Sequence, residues 1–146
     1  MKAVQLKRSL LLVGLFLFVI AQSCKKAEEP STFDKIVGKW VGVEVYYEEF
    51  PPGQPANNES EDISSYNFEF KTDGTFITDS AGFDSETYRW SVGSDGNFIW
   101  YWGPNDADVL QIPVLNDSQL HLEEKGEYDN GSGVMIPYRE VIKLRK

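Results

Sequence analysis

The sequence predicts an all-β protein, an eight-stranded antiparallel up-and-down β-barrel. Apolar and polar residues alternate with a period of two in several segments, as in Tyr66–Phe70, which is typical of a half-buried strand. The pairs Asp73-Gly74 and Asp95-Gly96 lie between apolar segments, where tight hairpins need residues that tolerate positive φ. Because most connections are short, strands that are neighbours in sequence should be neighbours in space. Eight such strands can close into a barrel.

The strands and their connections follow from this alternation. The predicted strands cover residues 38–48, 66–71, 75–80, 87–93, 97–102, 108–115, 119–125 and 137–145. A short helical turn over Thr32–Val37 precedes them, because Ser31 and Asp34 have the spacing of an N-cap and an acidic third residue. Two long connections remain, residues 49–65 and the glycine-rich residues 126–135. Connections of this length are usually functional or disordered, and we expect the first to be a mobile lid.

The N-terminal region has the features of an export signal. Three basic residues precede the apolar segment Leu10–Ile20, and a step of small residues then leads to Cys24, the only cysteine. The apolar segment is shorter than the ~20 residues that span a bilayer. We therefore expect a cleaved signal at residues 1–23, a tether at residues 24–32 and one domain at residues 33–146.

The placement of Cys24 resembles the lipobox of bacterial lipoproteins. That resemblance implies that the thiol carries a diacylglycerol, that the new amino group carries a fatty acid such as palmitate, and that these chains anchor the protein. It also implies the cell envelope, on the outer membrane, either periplasmic or surface-exposed. The charged residues 25–29 resemble the export signals of Bacteroidota surface lipoproteins, or form a plain solvated linker. The alternative for Cys24 is a chance cysteine after an ordinary secretory signal.

Composition excludes several classes of partner. Without residues 1–23 the chain keeps 11 basic and 23 acidic residues, a formal charge of −12. An acidic surface repels phosphate backbones and anionic lipid, so we expect no nucleic-acid binding and a membrane anchor made of acyl chains. With one cysteine no internal disulfide forms, so stability has to come from a core rich in aromatic residues.

The first strand carries a family signature. Gly38-Lys39-Trp40, directly after the helical turn, looks like the G-x-W signature of lipocalins. Residues 33–146 are similar to the lipocalin-like domains of Bacteroidota lipoproteins, which also show a phenylalanine-rich strand running into an Asp-Gly-Thr turn, here Phe68–Thr75. The resemblance implies a barrel that holds a small apolar or amphipathic ligand. It also implies a basic residue packed over Trp40, for which Lys143 and Arg145 are the candidates.

The apolar strand face allows two interpretations of the barrel interior. Its residues are Phe68, Phe70, Phe76, Tyr88, Trp90, Phe98, Trp100, Trp102, Leu110, Ile112, Val114, Leu120, Leu122, Ile142 and Leu144. An eight-stranded barrel is just wide enough to be filled by side chains or to hold one small ligand. In the first case these residues form a plugged aromatic core. In the second they leave a partly open pocket, lined by Trp90, Trp100, Trp102, Phe68, Phe70 and Tyr88.

Catalytic chemistry is poorly supported by the sequence. His121 alternates with Leu120 and Leu122, so it should point to solvent, and no Cys–His pair or zinc site is expected. Adjacent acids such as Glu123-Glu124 face opposite sides of a strand and do not converge. Asn105, Asp106 and Asp108 have oxygen ligands for calcium but no recognised spacing, so a turn is the better interpretation. We expect no catalytic residue, no metal and no cofactor.

The sequence therefore predicts a non-enzymatic envelope lipoprotein that binds a small apolar or amphipathic ligand. One alternative is a glycan-binding β-sandwich that uses the exposed aromatic residues of Trp100–Pro104. The other is a structural or adaptor lipoprotein, which should show an apolar surface patch of several hundred Å². The sequence identifies no protein partner.

Overall fold

The residues that the structure describes form one short helix and nine strands. The structure is a computed structural model and describes residues 30–80, 82, 84–101 and 106–146. The helix α1 is Thr32–Ile36, and the strands are β1 (Gly38–Glu49), β2 (Asn57–Asp62), β3 (Tyr66–Phe70), β4 (Thr75–Ser80), β5 (Glu86–Val92), β6 (Phe98–Tyr101), β7 (Ala107–Leu115), β8 (Gln119–Asp129) and β9 (Met135–Arg145). The predictions for Cys24, Trp102 and Asn105 lie outside the described residues.

The strands close into an eight-stranded antiparallel barrel, which confirms the predicted fold class. Strands β3 to β9 pair in sequence order, and β9 returns to pair with β1. The first residues of β1, Gly38–Val41, pair with β3 and complete the ring. Gly74 and Gly96 adopt positive φ in two of the hairpin turns, as predicted. The closed ring excludes the β-sandwich alternative.

The connection between β1 and β3 is not the lid that the sequence predicts. Its second half forms β2, which pairs with residues 44–49 of β1 and extends the barrel wall. All six β2 side chains are exposed, so no apolar alternation marks this strand in the sequence. The glycine-rich connection is also shorter than predicted, because β8 continues to Asp129 and β9 begins at Met135.

Helix α1 covers one end of the barrel, which we call the closed end. Ser31 and Asp34 form the predicted capping box. Phe33 stacks on Trp90 with ring centres 4.7 Å apart, and Ile36 is fully buried. These contacts fix α1 against the first turns of the barrel wall.

Trp40 connects α1 to the C-terminus at the closed end. Its side chain is 1% exposed, and its Nε1–H donates to the Ile36 carbonyl oxygen at 2.6 Å. The basic residue over the ring is Lys146, with Nζ 4.6 Å from the ring centre, so the assignment to Lys143 or Arg145 is wrong. Those two alternate with the inward-facing Leu144 and therefore lie on the outer face.

The barrel interior is filled at its centre. The buried apolar core comprises Ile36, Trp40, Ile63, Phe68, Phe70, Phe76, Trp90, Phe98, Leu110, Leu120, Leu122 and Leu144. A cavity among its aromatic and aliphatic side chains has a volume of only about 10 Å³. In β7 the pairing shifts between Gln111 and Val114, so Leu115 packs against the core in place of the predicted Val114.

The only histidine of the chain, His121, has the predicted orientation on β8. It alternates with the buried Leu120 and Leu122 and therefore lies on the outer face. The side chain is half-buried there, and burial together with nearby Lys143 lowers its pKa. His121 is thus separated from the barrel interior by the wall itself.

Candidate binding site at the barrel mouth

The interior face of the barrel changes character toward the end opposite α1, which we call the mouth. On β1 the inward-facing Val45 packs against the core, and the next inward residues are Tyr47 and Glu49. On β8 the next inward residue after the buried Leu122 is Glu124. On β9 the corresponding inward residue after Ile142, toward the mouth, is Glu140. The mouth residues of these three strands are Tyr47, Glu49, Glu124, Tyr128, Tyr138 and Glu140. Tyrosine and carboxylate side chains therefore replace the apolar core at this end.

A cleft of about 400 Å³ opens beside these residues. It is lined by Tyr47, Glu49, Ala56, Asn57, Asn58 and Glu59. Tyr47 pairs with Glu59 across the β1–β2 ladder, so the two side chains lie on the same, inward-facing side. The cleft thus continues the interior face of the barrel beyond the filled core. Its volume falls within the usual range for sites that bind small molecules.

Three tyrosine hydroxyl groups donate hydrogen bonds to carboxylates in the mouth. Tyr138 Oη donates to Glu124 Oε1 at 2.6 Å, Tyr128 Oη donates to Glu49 Oε1 at 2.7 Å, and Tyr47 Oη donates to the same Glu49 oxygen at 3.3 Å. The two shorter hydrogen bonds raise the pKa of Tyr138 and of Tyr128 to about 12. The rings of Tyr47 and Tyr138 also stack, with centres 5.8 Å apart. The mouth thus has a fixed aromatic wall with its carboxylates held in place.

Gly126 makes room for the Tyr138 ring. The two residues are direct partners in the β8–β9 ladder. A Cβ atom at residue 126 would lie 2.7 Å from the ring and hydroxyl atoms of Tyr138, closer than real contacts allow. The absence of a side chain at Gly126 therefore lets the ring lie across β8.

Glu140, like Glu49 and Glu124, is a half-buried carboxylate of this site. Burial raises its pKa, and the nearby carboxylates of Glu124 and Asp108 raise it further. Among the described residues, no three Asp, Glu, His or Cys side chains converge in a way that could hold a metal ion.

The described residues among those predicted to line a pocket lie deeper in the barrel. Phe68, Phe70 and Trp90 are buried, and the Trp90 Nε1–H donates to the Thr75 carbonyl oxygen at 3.1 Å. Tyr88 and Trp100 are half-buried, and their ring centres lie 5.5 Å apart. Trp102 lies outside the described residues. The described members of this set pack together in or next to the filled core, and their role in lining a ligand site stays a prediction.

Sequence reasoning missed the mouth residues, although the signal was present. The alternation from Val45 to Tyr47 and Glu49 keeps the phase of the buried face, as does that from Ile142 to Glu140. Because charged residues in strands are usually solvated, an acidic residue in this phase does not by itself indicate an inward-facing side chain. The predicted divergence of Glu123 and Glu124 is confirmed, since only Glu124 faces inward.

Comparison with known proteins agrees with this architecture. No helix in the described part of the chain has the length and apolar character needed to cross a bilayer. No curated protein and no solved structure matches the chain. A family model described as a lipocalin-like domain matches residues 36–122, which is more than half of the sequence and runs from the end of α1 into β8. The chain therefore belongs to the lipocalin-like domain family.

Proposed function

We propose that this protein is a lipid-anchored, non-enzymatic binding protein of the cell envelope that holds a small amphipathic molecule at the barrel mouth. The observation that carries the proposal is the cleft of about 400 Å³ that continues the interior face of a lipocalin-like barrel. Small molecules commonly bind in the mouths of β-barrels. The lining combines aromatic rings with carboxylate and amide groups, which suits a molecule with both apolar and polar parts.

The filled core supports a ligand site at the mouth and not at the barrel centre. The central cavity of about 10 Å³ has room for about one water molecule. In this proposal the ligand contacts Tyr47 in the cleft and does not reach Phe70. Exposed apolar side chains at the mouth ends of the strands, Phe50, Val134 and Met135, extend the apolar surface that such a ligand meets.

In this proposal the segment that leads to the anchor leaves from the closed end of the barrel, and the site lies at the other end. Seven residues lie between Cys24 and α1 in the sequence, and α1 packs at the closed end. A lipid on Cys24 therefore tethers the closed end to the membrane through a short polar segment. The mouth then points away from the bilayer, toward the aqueous phase from which it takes its ligand.

Native mass spectrometry of the full-length protein from its host envelope tests this proposal. We expect an adduct that disappears on denaturation, whose mass identifies the ligand. The variant Tyr47→Ser should lose the adduct because it removes a ring from the cleft. The control Tyr101→Ser should keep it, since Tyr101 contacts Ser91 on the outer face. A protein that carries no adduct, and takes none up from a host lipid and metabolite extract, would contradict a binding role.

A further inference from the structure

We propose that the polar end of the ligand is cationic, an ammonium or similar organic cation. The inference rests on the proposed binding of a small molecule at the mouth and adds the charge of that molecule. It is carried by the way in which β1, β8 and β9 divide their charged residues between the two faces of the barrel wall.

On the outer face, Glu44, Glu48 and Glu123 form ion pairs with basic residues, whereas the exposed Glu127 forms no ion pair within the described part of the chain. Glu123 receives Lys125 Nζ at 2.5 Å and Arg139 Nε at 2.7 Å. These hydrogen bonds lower the pKa of Glu123, with that from Lys125 contributing most. Lys143 pairs with Glu44 in the same way. The described basic residues of these strands that form ion pairs thus all lie on the outer face.

On the inner face, the carboxylates lack such partners. Within the described ranges, Glu49, Glu124 and Glu140 form no ion pair with lysine or arginine. Tyrosine hydroxyl groups, which carry no charge, are the donors to Glu49 and Glu124. Glu140 lies half-buried beside the carboxylate of Glu124, and no lysine or arginine in the described part of the chain forms an ion pair with it. Holding like charges together in a partly buried site is unfavourable, so a positive charge from outside would stabilise the mouth.

The shape of the site favours an organic cation over a metal ion. The described carboxylates do not converge as a set of three metal ligands. The cleft of about 400 Å³ is far larger than an ion needs, and it is lined by the ring of Tyr47, which stacks on Tyr138 and is the ladder partner of Glu140. Aromatic faces attract organic cations through their negative quadrupole and also contact the attached apolar groups. An amine with an aromatic or alkyl part matches both features.

A series of probes with the same phenyl ring and differently charged end groups tests the inference. The full-length protein is titrated calorimetrically in lipid nanodiscs with 2-phenylethylamine, 2-phenylethanol and phenylacetate, with empty nanodiscs as the blank. These probes present the same ring with a cationic, neutral or anionic end and dissolve in water. We expect the amine to bind at least about fivefold more tightly than the alcohol, and phenylacetate to bind least.

Two substitutions then connect the preference to the mouth. Glu140→Gln and Glu124→Gln should each weaken amine binding by about fivefold and change alcohol binding by less than about twofold. The control Glu127→Gln, at an exposed outer position of β8, should leave both unchanged. Equal or tighter binding of the neutral or anionic probe would overturn the cationic inference and leave the proposed binding site intact. Failure of all three probes to bind would count against the binding site as well.

Discussion

The ammonium group of Lys146 lies 4.6 Å from the centre of the Trp40 ring, beneath the closed end of the barrel. The same ammonium donates to the Lys35 carbonyl oxygen at 3.0 Å, and Trp40 donates to the Ile36 carbonyl oxygen. Trp40 on the first strand and Lys146 after the last strand are far apart in the sequence, and both bind carbonyl oxygens at the end of α1. The arrangement satisfies two of the carbonyl groups that the short helix leaves open at its end.

Trp40→Ala should destabilise the barrel by about 3–5 kcal/mol, because it removes a buried aromatic ring and leaves a cavity. Lys146→Gln should cost about 0.5–1 kcal/mol, since a cation–π contact at an accessible position is weak. Urea denaturation followed by tryptophan fluorescence measures both. Trp40→Phe serves as the control that keeps an aromatic ring and loses the hydrogen bond to Ile36. An unchanged unfolding midpoint in Trp40→Ala would remove this residue from the core.

The strands that bury apolar residues could be predicted from the sequence, and strand β2 could not. Alternation fixes the inward face of β3 and β5, because each buries every second side chain against a shared core. In β2 the side chains are polar and exposed, and the backbone of β1 alone determines the pairing. Hydrogen bonds between main-chain groups do not require particular side chains, so they produce no alternation of apolar and polar residues in the sequence. A strand held in that way is visible only once its partner is placed.

The binding site was harder to predict because its residues are polar on an inward face. Glu124 and Glu140 alternate in phase with the buried apolar residues of their strands, but their side chains are charged, as is usual for surface residues. The sequence predicts the basic residue over Trp40 on β9, whose outward side chains lie on the opposite side of the barrel wall from the Trp40 ring. Lys146 reaches it because the chain leaves β9 after Arg145, and the Lys146 amide then bonds to the Ser118 carbonyl oxygen. Both features, the inward acidic residues and the position of Lys146, depend on where a strand or its apolar part ends. The alternation of residues does not define those end points.

Gly126→Ala should move the Tyr138 ring out of the mouth. The added methyl group would lie 2.7 Å from ring atoms of Tyr138, so the ring has to rotate and lose its hydrogen bond to Glu124. We expect the pKa of Tyr138, which its hydrogen bond to Glu124 raises to about 12 in the parent, to fall toward the ordinary value near 10, while the pKa of Tyr128 stays raised. Absorbance at 295 nm during alkaline titration measures this change. Tyr138→Phe identifies the transition, and an identical titration curve in Gly126→Ala would show that the ring stays in place.

Cys24→Ala should release the protein from membranes. The substitution removes the thiol that would carry the diacylglycerol, and the acidic domain has no electrostatic attraction to anionic lipid. Ultracentrifugation of cell envelopes, followed by immunoblotting, should find the parent in the pellet and the variant in the soluble fraction. Ser23→Ala is a control that retains the cysteine and a small residue before it. Continued sedimentation of Cys24→Ala with membranes would contradict lipid anchoring.

Substitutions of Glu140 and Glu123 should affect stability in opposite directions. The raised pKa of Glu140, caused by burial and by the carboxylates of Glu124 and Asp108, means that folding disfavours its ionised form. Its contribution is therefore most favourable below the pKa of the unfolded chain, and is lost as pH rises through the folded pKa. The pKa of Glu123 is lowered, so its contribution is present above the unfolded pKa and is lost as pH falls through the folded value.

At neutral pH, Glu140→Gln should therefore raise the unfolding free energy of the ligand-free protein. Glu123→Gln should lower it by about 1–2 kcal/mol, a value reduced because Lys125 and Arg139 are partly exposed. Denaturation in urea between pH 3 and pH 8 measures both differences, which should shrink toward acidic pH as the parent carboxyls become protonated. Destabilisation by Glu140→Gln at neutral pH would show that its carboxylate already has a favourable partner in the free protein. The mouth would then need no external cation.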